Sequence, residues 1–320
     1  MVFASLAWWG WLLIVIGVLL VGGLIFSIFF TFYVAKQVYF HTLVKRTPEE
    51  WGRVCSAPEN EEQVKMWEEG LEWGKANKEY IKEVSITSED GLHLVGEFID
   101  FGHKQTAIIL SGRCECLWYG YYYALPYQKA GYNILVIDAR AHGNSEGKYA
   151  TAGIMEGNDV ALWMDLLVKE HHQEGFLLHC ICVGGSTGLI AARTPTGQKY
   201  VKKIVLDGAY ITFKESYKRH YIAKGHALFP VYYEVWFWFK HYTHVSADES
   251  APIKFINEIH VPILFIHSKK DIFSLPEKGQ LLFDTYQGEK VFKWFEEGNH
   301  SHVRVNNVEE YDETIINFVK

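Results

Sequence analysis

Three residue types that together perform nucleophilic catalysis occur in the second half of the chain, in the order serine, aspartate, histidine. The serine is Ser186, in the segment GGSTG, and it follows the apolar run Phe176–Val183. A serine hydroxyl is a poor nucleophile unless a base removes its proton, and the base needs an acid to orient it. Asp271 and His300 are the candidates for acid and base, because each follows an apolar segment that predicts a strand.

The segment around Ser186 predicts a strand, a sharp turn and a helix. Phe176–Val183 predicts a buried strand, and Leu189–Arg193 predicts the start of a helix. Glycines two residues before and two residues after the serine permit a strained turn, which is typical of a nucleophile elbow. The backbone N–H of Thr187 would then point to where an oxyanion forms. A glycine- and serine-containing turn without chemistry is the alternative.

Composition narrows the class of protein. The 320 residues carry a net charge of −7, and 22% of them are charged, so nothing suggests a nucleic-acid partner. The length allows one large α/β domain or two small ones. The five cysteines are odd in number, and Cys180 and Cys182 fall inside the predicted strand, which argues against a disulfide framework. We expect free thiols and no metal site.

The N-terminal segment predicts a membrane anchor. From Met1 to Ala35 there is no acidic, basic or histidine residue, and Trp11–Val34 is long enough to cross a bilayer. A signal peptide would carry a basic N-terminal region, whereas here Lys36 is the first basic residue. A buried core helix is the remaining alternative. The basic residues lie on the C-terminal side of the span, so the positive-inside tendency places the body of the protein in the cytoplasm.

The rest of the chain divides into a connector and one catalytic unit. We predict an anchor over residues 1–35, a charged connector with one helix over 36–79, and an α/β domain over 80–320. In that domain an antiparallel hairpin precedes apolar strands that alternate with helices. This alternation predicts a mostly parallel eight-stranded sheet with helices on both faces. The predicted strands are Tyr80–Thr87, Leu92–Asp100, Thr106–Leu110, Asn133–Asp138, Phe176–Val183, Lys203–Asp207, Pro262–His267 and Lys290–Phe295.

From about residue 80 to the end, the chain resembles the α/β-hydrolase superfamily, and within it the serine aminopeptidase and monoacylglycerol lipase-like group. The resemblance rests on GGSTG, on IILSGR, on DARAHGNSEG, on VPILFIHSKKD and on GNHSH. It implies Ser186 as nucleophile, Asp271 as acid and His300 as base. It also implies an oxyanion hole made of the backbone N–H groups of Arg113 and Thr187. One departure is Ser111, which stands where the family usually has histidine.

Each of these assignments has a rival. Ser145 also lies in a G-x-S-x-G pattern, but no apolar helix follows it, so a structural role is favoured. Asp207 also ends a predicted strand, and His302 lies two residues beyond His300. The family pattern favours Asp271 and His300 over these two.

A long insert, residues 211–260, predicts a cap between two core strands. It contains the aromatic segment FPVYYEVWFWFKHY. A structural cap helix is one interpretation, and a lid resting on the bilayer is another. A third interpretation is a lid whose aromatic side chains line an acyl or other apolar substrate pocket, with Tyr233, Trp236 and Trp238 as the candidates.

Taken together, these features predict a membrane-anchored serine hydrolase that cleaves a carboxylic ester or thioester through an acyl-enzyme. The expected partners are a small acyl substrate and the membrane, and the expected chemistry needs neither a metal nor an organic cofactor. A serine peptidase with the same triad is one alternative. A catalytically silent binding module on the hydrolase fold is the other.

Overall fold

The computed structural model describes residues 8–320, so the first seven residues of the predicted anchor lie outside the described part. Helix α1 is a continuous helix over Trp8–Leu43. It is long and apolar enough to cross a membrane. Side chains from Trp11 to Phe30 are all exposed, which argues against a core helix. The helix continues past the apolar segment, and its last turns bury Ala35, Tyr39 and Leu43.

Eight strands form one sheet in the order β1-β2-β4-β3-β5-β6-β7-β8. Strand β2 is antiparallel to both of its neighbours, and every other pair is parallel. The strands β4, β5 and β7 are buried along their whole length, as expected when helices cover both faces. The predicted sheet is therefore confirmed. The strands are β1 Ile81–Thr87, β2 His93–Ile99, β3 Gln105–Leu110, β4 Asn133–Ile137, β5 Gly175–Ile181, β6 Val201–Asp207, β7 Ile263–Ser268 and β8 Lys290–Phe295.

Helices cover the sheet on both faces and enclose two apolar cores. One core is built around Trp163 and the other around Tyr119, and both side chains are fully buried. Helix α2 begins at Glu61, where the Asn60 side chain accepts hydrogen bonds from two backbone N–H groups. The helices after α1 are α2 Glu61–Ala76, α3 Trp118–Tyr122, α4 Ala124–Ala130, α5 Ile154–His171, α6 Gly184–Arg193, α7 Pro195–Tyr200, α8 Phe213–Ala223, α9 Val231–Thr243, α10 Pro252–Phe255, α11 Pro276–Thr285, α12 Val303–Asn306 and α13 Val308–Val319.

The turn between β5 and α6 lies earlier than the sequence predicts. Strand β5 ends at Ile181 and α6 already begins at Gly184, so Ser186 lies inside the helix. The chain reverses at Cys182 and Val183. The predicted turn at residues 184–188 is wrong because those glycines lie in the first turns of the helix, where it packs closely on the sheet. A Cβ atom on Gly184 would lie 2.3 Å from the backbone oxygen of Leu110.

A third apolar cluster joins α1 to the cap helices α8 and α9. Tyr39 of α1 stacks on Tyr242 of α9, with ring centroids 5.7 Å apart and planes 6° from parallel. The indole N–H of Trp238 donates a hydrogen bond of 2.9 Å to the backbone oxygen of Phe32. The aromatic cap segment therefore attaches the α/β domain to the C-terminal part of α1.

Replacing Tyr39 tests whether this cluster stabilises the protein. Tyr39 is fully buried, so we expect Tyr39→Ala to lower the free energy of unfolding by about 3–5 kcal/mol. Its hydroxyl has no hydrogen-bond partner within residues 8–320, so Tyr39→Phe should leave stability unchanged or raise it. The measurement is the thermal unfolding midpoint of the full-length protein in detergent. Equal midpoints for Tyr39→Ala and the parent protein would contradict the packing role.

Candidate active site

The predicted acid and base lie side by side beyond the carboxyl ends of two neighbouring parallel strands. Asp271 follows β7 and His300 follows β8, and the His300 Nδ1–H donates to Asp271 Oδ2 at 2.7 Å. The other carboxylate oxygen of Asp271 accepts from the backbone N–H groups of Phe273 and Ser274, at 2.8 and 2.7 Å. These bonds hold the carboxylate in place, and the carboxylate in turn orients the imidazole.

The electrostatics of the pair favour a charged histidine. Burial raises the pKa of Asp271, but the His300 charge and hydrogen bond outweigh burial and hold that pKa below its usual range. Burial lowers the pKa of His300, but the neighbouring Cys182 and Asp271 outweigh it and raise the pKa well above the ordinary value. The raised pKa makes His300 a stronger base than an ordinary histidine.

The remaining nitrogen of His300 is available for chemistry. Its Nε2 atom is buried and has no hydrogen-bond partner in the described part of the chain. Ser186 does not fill this position. The Ser186 hydroxyl is fully buried and is hydrogen-bonded to the Tyr210 hydroxyl at 3.1 Å and to the backbone oxygen of Ser250 at 2.9 Å. The structure thus brings Asp271 and His300 together but directs Ser186 elsewhere, which corrects the assignment of Ser186 as nucleophile.

Cys182 occupies the turn where a nucleophile is expected. It is the residue directly after β5, and its φ of 52° lies in the left-handed region, which is rare for a cysteine. Its N–H donates to the backbone oxygen of Asp207, and its carbonyl accepts from Gly185, so both sides of the turn are held. A strained residue between a buried strand and a helix is what the nucleophile elbow requires. Cys182 is half-buried and lines the same cavity as His300.

A signal for this position exists in the sequence. In HCICVGG, Cys182 is followed two residues later by Gly184, just as the nucleophile of an elbow is. The sequence favours Ser186 over Cys182 because Cys180 stands where the first glycine of the elbow pattern is expected, whereas the complete G-x-S-x-G pattern occurs four residues later at Ser186. The patterns centred on Cys182 and on Ser186 are four residues apart, which is just over one turn of an α-helix. Both therefore fall on the same strand–helix unit.

The amide groups near Cys182 form a candidate oxyanion hole. Thr187 was the predicted donor, but its N–H donates to the backbone oxygen of Val183 at 3.2 Å, as expected inside a helix. The assignment of Thr187 is therefore corrected. The residue after Cys182 is Val183, at the N-terminus of α6, and its N–H is the corresponding candidate donor. The second predicted donor, Arg113, lines the cavity together with Cys182 and Val183, and its N–H has no partner among the described residues.

Two side chains brace the loop that carries Arg113. Glu115 accepts a hydrogen bond of 2.8 Å from the Gly112 N–H, and His142 Nε2 accepts one of 3.1 Å from the Cys114 N–H. Burial raises the pKa of Glu115, which also accepts from the Gln63 amide. Glu115 and His142 therefore brace the loop, in which Ser111 stands where the resembled family usually has histidine.

The cavity above Cys182 has a volume of about 300 Å³. Its cap-side wall comes from α8, through Phe213, Tyr217 and His220. The predicted pocket residues do not line it. Tyr233 is 58% exposed, Trp236 packs against Phe213 and Tyr217 inside the cap, and Trp238 packs against α1. The aromatic pocket assignment is therefore wrong, because Tyr233 is exposed, Trp236 packs within the cap and Trp238 packs against α1.

Comparisons with known proteins agree with this architecture. No family model matches the chain. Among curated proteins, the uncharacterized protein YqkD of Bacillus subtilis (strain 168) is 27% identical over 196 residues, which is 59% of this chain. The match spans 62% of the length of that relative.

Solved structures are similar over most of the chain. An esterase of Pyrococcus furiosus, Pf2001, superposes with a TM-score of 0.63 at 22% identity, covering 77% of this chain and 92% of that one. The esterase EaEST of Exiguobacterium antarcticum gives 0.55 at 19%, covering 74% and 98%. The acylaminoacyl peptidase of Pyrococcus horikoshii gives 0.53 at 16%, covering 73% and 41%. The chain has the α/β-hydrolase fold. The fold expected from the sequence is confirmed.

Within this α/β-hydrolase fold the three rival residues have structural partners. Ser145 donates to the backbone oxygen of Asp138 and accepts from the N–H of Val95. Asp207 accepts a hydrogen bond of 2.6 Å from the Tyr311 hydroxyl. His302 is hydrogen-bonded to residues of α2 at the rim of the cavity. These contacts fit roles in bracing the site.

The pairing of Cys182 with His300 can be tested by alkylation. The thiolate is the nucleophilic form of cysteine, and a neighbouring base promotes its formation by taking the thiol proton. We expect iodoacetamide to modify Cys182 in the parent protein at pH 6.5, and His300→Ala to slow this reaction by about tenfold or more. Mass spectrometry of the tryptic peptides separates Cys182 from Cys114, which also lines the cavity. His103→Ala is the control, because His103 is exposed and does not line the cavity, and it should leave the rate unchanged. An unchanged rate in His300→Ala would contradict the pairing.

Proposed function

We propose that the protein is a membrane-anchored hydrolase that cleaves a carboxylic ester or thioester with Cys182 as nucleophile. The observation that carries the proposal is the position of Cys182, at a strained strand–helix turn in the same cavity as an imidazole nitrogen that has no partner within residues 8–320. The chain has the same fold as two solved esterases, which supports ester or thioester hydrolysis as the reaction.

The proposed reaction uses side chains, backbone amides and water. Asp271 holds the His300 tautomer, and His300 takes the thiol proton of Cys182. The thiolate attacks the substrate carbonyl, and the N–H groups of Val183 and Arg113 stabilise the oxyanion. His300 then protonates the departing alcohol or thiol, which leaves a thioester between the acyl group and Cys182. His300 finally activates a water molecule that hydrolyses this thioester and restores the thiol.

Two substitutions separate Cys182 from Ser186. We expect Cys182→Ala to lower kcat by a factor on the order of 10⁴ or more with p-nitrophenyl acetate, because it removes the attacking group. Ser186→Ala removes a hydroxyl bonded to Ser250 and Tyr210, so it should lower stability by about 1–3 kcal/mol and retain most of the activity. The measurement is p-nitrophenolate release, with thermal unfolding as the control for folding. The opposite pattern, in which Ser186→Ala is inactive and Cys182→Ala is active, would restore Ser186 as the nucleophile.

Chromogenic substrates also distinguish the two alternatives that the sequence leaves open, a serine peptidase and a catalytically silent binding module. A peptidase should release p-nitroaniline from aminoacyl p-nitroanilides faster than it cleaves esters. A catalytically silent binding module should cleave neither class, and iodoacetamide should not react preferentially with Cys182.

We further propose that α1 crosses a membrane and that the catalytic domain faces the cytoplasm. The exposed apolar side chains from Trp11 to Phe30 support insertion, since water would solvate them poorly. The basic residues after the span, Lys36 and Lys45 among them, support the orientation. The five cysteines are free, as expected in a reducing compartment.

The orientation can be measured with a reporter fused after Lys320. Alkaline phosphatase at this position should be inactive in intact bacterial cells, whereas a green fluorescent protein should fluoresce, because the carboxyl end would lie in the cytoplasm. Reversing the flanking charge with Lys36→Glu and Lys45→Glu together should shift part of the population to the other orientation. High phosphatase activity of the parent fusion would place the domain outside.

A further inference from the structure

We propose that the substrate is a long-chain acyl ester or thioester that reaches Cys182 from the bilayer, with its acyl chain in a groove between the anchor helix α1 and the cap helix α8. This inference rests on the proposed function and adds the substrate class and the route of access.

The groove is a second cavity, of about 450 Å³, next to the catalytic cavity. One wall is α1 and the other is α8 with the residues that follow it. Four residues line both cavities, so the groove adjoins the space above Cys182. The shared residues are Arg113, Cys114, Tyr217 and His220.

The outer end of the groove lies at the end of the apolar segment of α1. Val34 lines the groove and is the last residue of the run that begins at Trp11, and Lys36 follows it. Thr42 lines the inner end, eight residues later, which is about 12 Å along a helix. The groove thus extends from the expected membrane surface to the loop that carries Arg113.

The α1 helix is joined directly to the catalytic loop at this inner end. The Arg113 guanidinium donates to the backbone oxygen of Thr42 at 2.9 Å, and the Thr42 and Tyr217 hydroxyls are 2.7 Å apart. These bonds fix the positions of α1 and α8 relative to the loop that carries Arg113. An acyl chain held between the two helices would therefore present its carbonyl at a defined place beside Cys182.

The chemistry of the two cavities fits the two parts of such a substrate. Val34, Val38, Tyr217 and Tyr221 supply apolar surface along the groove. Burial lowers the pKa of His220 to about 4, so this residue is neutral where the cavities meet. The catalytic cavity is more polar, since Ser56, Asn60, Gln63 and Ser301 are among the residues that line it. We assign the acyl chain to the groove and the polar leaving group to the catalytic cavity.

The test compares two esters that share a leaving group, p-nitrophenyl acetate and p-nitrophenyl dodecanoate. The full-length protein is reconstituted in phosphatidylcholine vesicles, and kcat/KM is measured for each ester. The parent protein should prefer the dodecanoate, since each buried methylene contributes roughly fourfold. Val38→Trp narrows the groove; if it excludes three methylenes, kcat/KM for the dodecanoate should fall on the order of 50-fold. The value for the acetate should stay within about twofold.

Val21→Trp is the matched control, because Val21 lies on the same helix, is exposed and lines neither cavity. It should leave both esters unchanged. If Val38→Trp loses acetate hydrolysis through misfolding, Val34→Trp at the outer end tests the same point. Equal loss with both esters in Val34→Trp, or no preference for dodecanoate in the parent protein, would overturn the groove assignment. Failure of the parent protein to cleave either ester would instead overturn the proposed function.

Discussion

The close approach of α6 to the sheet is the constraint on which the site depends. Gly184 lies so near the backbone of Leu110 that a side chain would overlap the carbonyl oxygen, and Gly188 lies equally near the Cys180 sulfur. Only glycines allow the helix to start this close to β3 and β5. The chain must then reverse within the two residues between strand and helix, and Cys182 takes the left-handed backbone conformation. The strain at Cys182 is therefore a consequence of packing.

The charged pair beside this turn is held by the neighbouring strands. Asp271 and His300 follow β7 and β8, which are adjacent and parallel, so their loops leave the same edge of the sheet. The Asp271 carboxylate is buried but receives three hydrogen bonds, which compensate for its loss of hydration. Its negative charge helps to raise the pKa of His300 despite burial. The proposed nucleophile thus shares a cavity with a histidine whose orientation is set before any substrate arrives.

The long apolar helix α1 also packs on the domain that holds the candidate site. Its C-terminal turns pack on the cap, and Thr42 bonds to both the loop that carries Arg113 and α8. The aromatic residues of α9 supply the large buried surface of this contact. Helix α1 also forms one wall of the groove, so one helix both contacts the cap and borders the proposed route of access. Removing α1 would therefore expose the apolar face of the cap and leave the groove without a wall.

The sequence by itself determined the sheet, the long apolar helix α1 and the positions of Asp271 and His300. Each depends on a local pattern: apolar runs of strand length, a long uncharged segment, and polar residues directly after a strand. It did not determine which residue lies at the elbow, because two overlapping patterns fit and the complete one is a helical turn too late. Only the packing of α6 against β3 separates Cys182 from Ser186. The role of the cap aromatics was likewise decided by tertiary structure, since a ring that lines a pocket and a ring that binds another helix have the same local sequence. What distinguishes them is the partner surface, which comes from α1, some 200 residues away along the chain.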